Sequence, residues 1–346
     1  MQATLTIDLN AIVENWRALD ALSGAQVETG AVIKADAYGL GAATVGPALA
    51  AAGVTSFFVA QAEEAVALRA ALGPKPVIYN FSGLMPGDGE AVVEHGMVPV
   101  LNSATQVKTF AKDFKGKPCG IQLDSGMNRL GMEAFEAMSV ALDILALQPN
   151  LVMSHLACAD EPLHPMNAAQ LATFGTMSFA MITKQKSLSA TGGLLLGAPF
   201  HFDLTRPGIG LYGGLPFKDA RPVVQLDLPV VQIRDVLPGE GVGYGAAWIA
   251  TRPSKIATVS SGYADGIIRA AKGFSLYAGS TACPVVGRVS MDLLTVDVTD
   301  LDAVPQSLSI LNAVQTVDDL AEKAGTIGYE ILTSLGARYN RAYIGS

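Results

Sequence analysis

AVIKADAYGLGA, residues 31–42, is a short apolar run that ends on a lysine and passes at once into a glycine-punctuated turn. Outward from it, the first two-thirds of the 346-residue chain repeat one unit, a buried-strand pattern followed by a helical one. SFFVA (56–60), PVIYN (76–80), VPVL (98–101), GIQLD (120–124), LVMSH (151–155), LSAT (188–191) and IGLY (209–212) continue the series that AVIK (31–34) begins. Ala-rich stretches with apolar positions at helical spacing, such as residues 62–72 and 134–147, lie between them. Strands covered by helices on both faces read as continuous apolar runs, which is the pattern here. Eight such units in about 200 residues favour an α/β fold, a (β/α)8 TIM-like barrel, over an open doubly wound sheet.

After about residue 222 the texture becomes β-rich. VVQLDLPVVQIRDV (223–236), KIATVSSG (255–262) and LLTVDVTD (293–300) alternate, with turns at Pro238-Gly239 and Ala278-Gly279. Helical patterning returns only at residues 317–324 and 329–335. The expected division is a barrel over 1–222 followed by a smaller, mainly β C-terminal domain over 223–346. The first strand is free to pack with that second domain.

Half of the residues are hydrophobic and only 16% are charged, enough for a well-buried core. The net charge of −8 comes with no Lys/Arg run, which argues against nucleic acid or an anionic membrane surface as partner. Cys119, Cys158 and Cys283 are odd in number and far apart, a usage that fits a reducing compartment. The N-terminus lacks a basic start and a signal-peptide pattern. The uncharged run 37–62 contains Pro47, glycines and a β-branched cluster, so it reads as helix, loop and buried strand rather than a membrane span. A cytoplasmic, soluble protein is expected. His95, His155, His164 and His201 have no metal-ligand spacing, and no metal is expected.

In a barrel the active site gathers at the C-terminal ends of the strands, which puts Lys34 at the mouth. A lysine in dry surroundings has a lowered pKa and readily forms a Schiff base. By position alone, a lysine snorkelling at a strand end is an equally good reading. The wider set of motifs decides between them. KADAYGLG (34–41), LDSGMNRLG (123–131), SHLACAD (154–160), DLTRPGIGLYGG (203–214), GVGYGAAW (241–248), GYADGIIR (262–269) and GRVSMDLLTVDVTD (287–300) resemble, in order, the motifs of the alanine racemase family. Those are barrel-type enzymes dependent on pyridoxal 5'-phosphate.

The resemblance implies racemisation of alanine, supplying D-alanine for cell-wall peptidoglycan or degrading it. It makes Lys34 the residue that carries the cofactor and the base on one face of the substrate. Tyr244 becomes the base on the opposite face. Two bases are needed because each enantiomer is deprotonated from its own side. Tyrosine, with an ordinary pKa near 10, is a poor base at neutral pH without cationic or hydrogen-bonding neighbours. The resemblance supplies these as His155 and Arg206. Arg206 also corresponds to the arginine that faces the pyridine nitrogen, where a permanent cation weakens the ring as an electron sink. Tyr38, Thr191 and the backbone at Gly208 and Ile209 correspond to the phosphate contacts, and phosphate sites in barrels do favour the last two strand-end loops. Arg129 and the Met291 backbone N–H correspond to substrate-carboxylate contacts, with Tyr263 at the entry. The family further implies a homodimer with shared sites, Lys34 of one protomer facing Tyr244 and Met291 of the other.

GIGLYG (208–213) also satisfies a dinucleotide-binding pattern, but no apolar run precedes it and GGLPF follows in place of a helix. The chain departs from the family at Gln122, where many members have a carbamylated lysine oriented on the arginine. Leu40 and Ala190 stand where a histidine and an asparagine are common. Three other functions compete with alanine racemisation. One is a related racemase of broader or shifted specificity, such as serine, with Tyr263 and Tyr343 at the pocket mouth. Another is a non-catalytic pyridoxal-phosphate-binding barrel, which GVGYG and SMD argue against because such proteins lack the β domain. The last is a fold-sharing decarboxylase, disfavoured because Arg206 replaces a carboxylate at the pyridine nitrogen.

Overall fold

The computed structural model describes residues 2–345. The chain divides into two compact units, Ile12–Ala220 and a second made of the segment through Ala11 with the described residues from Arg221 on. Strand β1 (Thr4–Asp8) belongs to the second unit.

The first unit is a parallel barrel. β2 (Glu28–Thr29) and β3 (Ala31–Val32) form one staved strand interrupted at Gly30. There follow β4 (Ser56–Val59), β5 (Val77–Asn80), β6 (Met97–Leu101), β7 (Gly120–Gln122), β8 (Leu151–Met153), β9 (Gln185–Ser187) and β10 (Leu204–Thr205). β3 to β9 pair in sequence order, every ladder parallel. β10 closes the ring by pairing in parallel with β2, Thr205 opposite Thr29. On its other side Arg206 N–H donates to Ser189 O at 2.8 Å. Closure removes the exposed sheet edges and points the C-terminal ends of all strands to one rim. At Gly30 a Cβ would lie 2.8 Å from Ser56 O and 3.0 Å from the Phe58 ring, so the strands come this close only around glycine. Phe58 stacks on Tyr79 with ring centroids 4.9 Å apart. Fully burying a ring of this size contributes about 1.5–3 kcal/mol.

Three details differ from the sequence reading. The seventh strand is Gln185–Ser187 rather than 188–191, because the polar QKS segment takes the ladder to β8 and Thr191 opens a helix (Thr191–Leu195). The eighth strand is Leu204–Thr205; residues 209–212 form a 3-10 turn instead. Pro207, two residues past this strand, has no N–H to donate, and the Gly208 N–H turns to the Thr191 hydroxyl at 3.0 Å. The helical stretch 134–147 is two helices, Ala134–Ser139 and Ala141–Leu147, broken at Val140 (φ −125°, ψ 20°).

The second unit is mainly β. β11 (Val224–Val236), β12 (Gly241–Val242), β13 (Trp248–Ile249), β14 (Ser254–Ser260), β15 (Ser275–Ala278), β16 (Thr281–Val286), β17 (Leu293–Asp297), β18 (Ser307–Leu311) and β19 (Asn340–Ile344) follow one another. β11, β14, β17, β16, β15 and β18 pair antiparallel in that order, and β18 returns to β11. The 13-residue β11 takes part in two faces of this small closed sheet because its register shifts between Val230 and Gln232. β1 extends the sheet antiparallel to β11, and β19 adds in parallel to β1. Ala278 opposite Thr281 leaves a two-residue hairpin loop, with Gly279 at φ 61°.

Candidate active site

β3 ends at Val32, and Lys34 opens a turn of the wrong hand. Ala35, Asp36, Ala37 and Tyr38 all have φ between 52° and 57° with left-handed helical ψ. Four such residues in a row cost about 1–2 kcal/mol each, so the surroundings must over-determine the turn. Ala35 N–H donates to Glu64 Oε1 at 2.5 Å, Ala37 N–H to Ile33 O at 2.9 Å, and Ala42 N–H to Asp36 Oδ1 at 2.7 Å. Tyr38 is thereby laid on Tyr212, ring centroids 4.6 Å apart, while Tyr212 Oη donates to Val32 O at 3.0 Å. Burial, with Tyr38 and Asp36 nearby, raises the Tyr212 phenol far above the ordinary tyrosine value and keeps it a donor.

Beside Tyr38 lies a backbone cradle. A Cβ on Gly208 would meet Tyr38 Oη at 2.3 Å. Thr191 Oγ1 accepts from Gly208 N–H at 3.0 Å and from Gly210 N–H at 3.3 Å. Its own hydroxyl hydrogen stays available to an acceptor. Ile209 opens the 3-10 turn, where an N–H has no partner within the turn. Tyr38, Thr191, Gly208 and Ile209, separate in sequence, are gathered here.

Arg206 follows β10 and is 1% exposed. Its NH2 group donates to Ser154 O at 2.8 Å and Leu188 O at 3.4 Å, and NH1 donates to the Ser187 hydroxyl. Among the described residues no carboxylate pairs with it. Burial pushes the guanidinium down to about 9, which still leaves it cationic at neutral pH. His155, after β8, is lowered to about 3 by burial and by the nearby Arg206, Arg129 and Lys34 charges. It is a neutral imidazole at pH 7, so any help it gives a second base is a hydrogen bond rather than a charge. Lys34 is lowered from the usual lysine range by burial and by Arg129, against the opposing pull of Glu64. Arg129, exposed on the loop after β7, has no acceptor or counter-ion among the described residues.

Gln122, buried at the end of β7, donates to Leu130 O at 3.2 Å and so ties down the strap that carries Arg129. Three cations and one neutral imidazole thus converge on one rim of the barrel, with hydroxyls and backbone N–H groups beside them. That arrangement suits a ligand with its own negative charge, such as an aldehyde-bearing phosphate. Burying cations without such a partner is unfavourable. Among the described residues no three His, Cys, Asp or Glu side chains are placed to hold a metal.

The second unit carries the other candidates. Tyr244 stands at the tip of the β12–β13 hairpin, in a 3-10 turn bent by Gly243 (φ 73°) and Gly245 (φ 69°). It is 72% exposed. A Cβ on Gly245 would lie 3.8 Å from the Arg288 guanidinium carbon, which places that cation against the same tip. Tyr263 and Met291 share a corner: Tyr263 N–H donates to Ser290 O at 3.0 Å and Ala264 N–H to Met291 O at 2.9 Å. Asp265 pins it, accepting from Gly262 N–H at 2.9 Å and from Arg338 Nε at 2.6 Å.

Sequence reading did not single out Glu64, Ser187, Ser154 or Tyr212. Gln61-x-x-Glu64 ahead of an apolar helical run is a capping pattern and was the signal for Glu64. The serines carry no signal, because their role depends on where Arg206 folds.

A closed parallel barrel with a lysine-centred, anion-accepting rim, joined to a β unit with an exposed tyrosine, defines a two-unit barrel enzyme. Two family models match in tandem, the alanine racemase N-terminal domain over residues 7–216 and the C-terminal domain over 223–343. The chain belongs to the alanine racemase family. It is 60% identical to the alanine racemase of Dinoroseobacter shibae, over 99% of this chain and 98% of that one. It is 43% identical to that of Rhizobium meliloti, over 99% and 96% of the two chains. The crystal structure of the Bartonella henselae alanine racemase with covalently bound pyridoxal phosphate superposes with a TM-score of 0.93 at 38% identity, covering 99% of this chain and 100% of that one. The biosynthetic enzyme of Pseudomonas aeruginosa gives 0.91 at 35%, covering 99% of both.

Proposed function

We propose that the protein is a pyridoxal-phosphate-dependent isomerase that interconverts L- and D-alanine with Lys34 and Tyr244 as its two bases. The observation that carries this reading is a buried Arg206, with no carboxylate partner among the described residues, and a half-buried Lys34, both acting on His155 at the barrel rim, a setting that suits an anionic aldehyde. Lys34 would hold the cofactor, Tyr38, Thr191 and the Gly208-Ile209 backbone its phosphate, and Arg206 its pyridine nitrogen. When bound, pyridoxal phosphate withdraws electrons from the substrate's α-carbon and acidifies its hydrogen.

Lys34 Nζ then takes the α-proton on one face, and the Tyr244 hydroxyl delivers a proton to the other; the reverse reaction exchanges the roles. Arg206, always cationic there, would keep the pyridine nitrogen it holds unprotonated and so disfavour transamination and decarboxylation. Arg129 and the Met291 N–H receive the substrate carboxylate, and Tyr263 lines the entrance. His155, neutral, offers a hydrogen bond to the tyrosine oxygen.

Tyr244, Met291 and Tyr263 are exposed on the second unit. This supports a homodimer in which Lys34 of one protomer works with Tyr244 of the other. No helix among the described residues is long and apolar enough to cross a membrane. The reading is completed by action in the cytoplasm on a free small amino acid.

Incubating the enzyme with either enantiomer of alanine in deuterium oxide tests it. The expected result is one α-deuterium and an equal mixture of enantiomers from both starting points. Retention of the α-proton, or exchange without inversion, contradicts it. Parallel incubations with serine and larger amino acids measure how far the specificity extends.

A further inference from the structure

The left-handed turn at residues 35–38 carries two functions at once, since it follows Lys34 directly and contains Tyr38. Its backbone is fastened from another element by one side chain. Glu64 Oε1 accepts from Ala35 N–H at 2.5 Å, while Oε2 accepts from Ala60 N–H at 2.7 Å and Gln61 N–H at 3.2 Å. A single half-buried carboxylate therefore ties the turn to the first residues of the Ala62–Leu72 helix. Both oxygens act as acceptors toward backbone N–H groups, an arrangement that only an ionised carboxylate satisfies completely.

We propose that Glu64 is a positioning residue for Lys34, holding the left-handed turn so that the amine and Tyr38 meet the cofactor together. This rests on the reading that Lys34 carries pyridoxal phosphate. The Glu64 charge also acts on the amine, against burial. The charged groups that act on Lys34 are Arg129, from the loop after β7, and Glu64 itself; His155 after β8 lies within reach, and Asp36 and Tyr38 follow on its own turn. Glu64 is the anion whose effect opposes burial and Arg129 at the amine. Removing its charge favours the neutral amine and moves the lysine's titration to lower pH. Glutamine in its place keeps the shape but offers a single acceptor oxygen, and its NH2 group faces a backbone donor.

The test uses the full-length protein with added pyridoxal phosphate. The cofactor is trapped on Lys34 by borohydride across a pH series and quantified by peptide mass spectrometry, and its dissociation constant is measured by absorbance titration. Wild type, Glu64→Gln, Glu64→Ala and the exposed neighbour Glu63→Gln are compared. We expect the dissociation constant to rise about tenfold to a hundredfold in both Glu64 variants. At saturating cofactor, the trapping midpoint moves to lower pH. Glu63→Gln leaves both unchanged. Glutamine folds where alanine does not, so the first variant suffices if the second aggregates. Lowered thermal stability in Glu64→Gln with affinity and midpoint unaltered would overturn the positioning role. Absence of trapped cofactor on Lys34 in the wild type would overturn the underlying reading instead.

Discussion

Lys34, His155 and Arg206 sit at the barrel rim with enough protein around them to depress their basicity, whereas Tyr244, Tyr263 and Met291 stand 72%, 41% and 53% exposed on the β unit. The barrel residues are also heavily constrained. A left-handed turn, a glycine cradle and a guanidinium held by the Ser187 hydroxyl and the Ser154 and Leu188 carbonyls fix them in place. The β-unit residues occupy a hairpin tip and a pinned corner. Burial suits groups that must select and hold a cofactor, because unpaired cations in a dry site have a strong appetite for an anion. Exposure suits groups that meet their target only when another surface covers them. On the proposed reading the two regions differ in what each contributes: binding and tuning on one, the second proton transfer on the other.

Lys34→Ala sharpens this contrast most. It should lower kcat at least about ten-thousandfold and abolish borohydride-trapped cofactor, since anchor and base are lost together. Tyr244→Phe should lower kcat about a hundredfold to ten-thousandfold while the trapped cofactor on Lys34 stays at wild-type level. In deuterium oxide it should leave α-exchange in one enantiomer and suppress it in the other. Equal loss of cofactor in this variant would break the comparison.

Smaller effects are expected within the barrel. Gly208→Ala puts a methyl group 2.3 Å from Tyr38 Oη and should weaken cofactor binding about tenfold to a hundredfold, read by absorbance titration. The smallest concerns acid stability. His155 takes up its proton near pH 3 when folded and near 6.5 when unfolded. Between those values the unfolded chain binds more protons, so stability falls as pH drops through that window. His155→Gln removes the contribution. Its unfolding temperature should fall less than wild type's between about pH 7 and about pH 4, by a few °C.

Much of the barrel was legible because strands covered on both faces are written as apolar runs; SFFV and MVPVL are read directly from sequence. QKS was not, because a strand that ends on a serine serving Arg206 looks like a loop. IGLY looked like a strand and is a 3-10 turn, since the glycines and Pro207 around it outweigh its apolar content. The candidate residues were legible as motifs, yet the left-handed turn behind KADAY was not. No local propensity favours four such residues, and their conformation is imposed from outside, in part by Glu64. His155 is a similar case: its motif marked it as a helper of the second base, and only burial among three cations makes it a neutral one.

Mixed dimers test the division of labour most directly. Lys34→Ala and Tyr244→Phe chains, each strongly impaired in racemisation alone, would be co-expressed with different affinity tags and the heterodimer purified through both. One of its two sites then receives Lys34 from one chain and Tyr244 from the other. The account predicts that racemisation returns to about half the wild-type rate, as expected when one of two identical sites is intact. Verified heterodimers as inactive as the parent variants would contradict it.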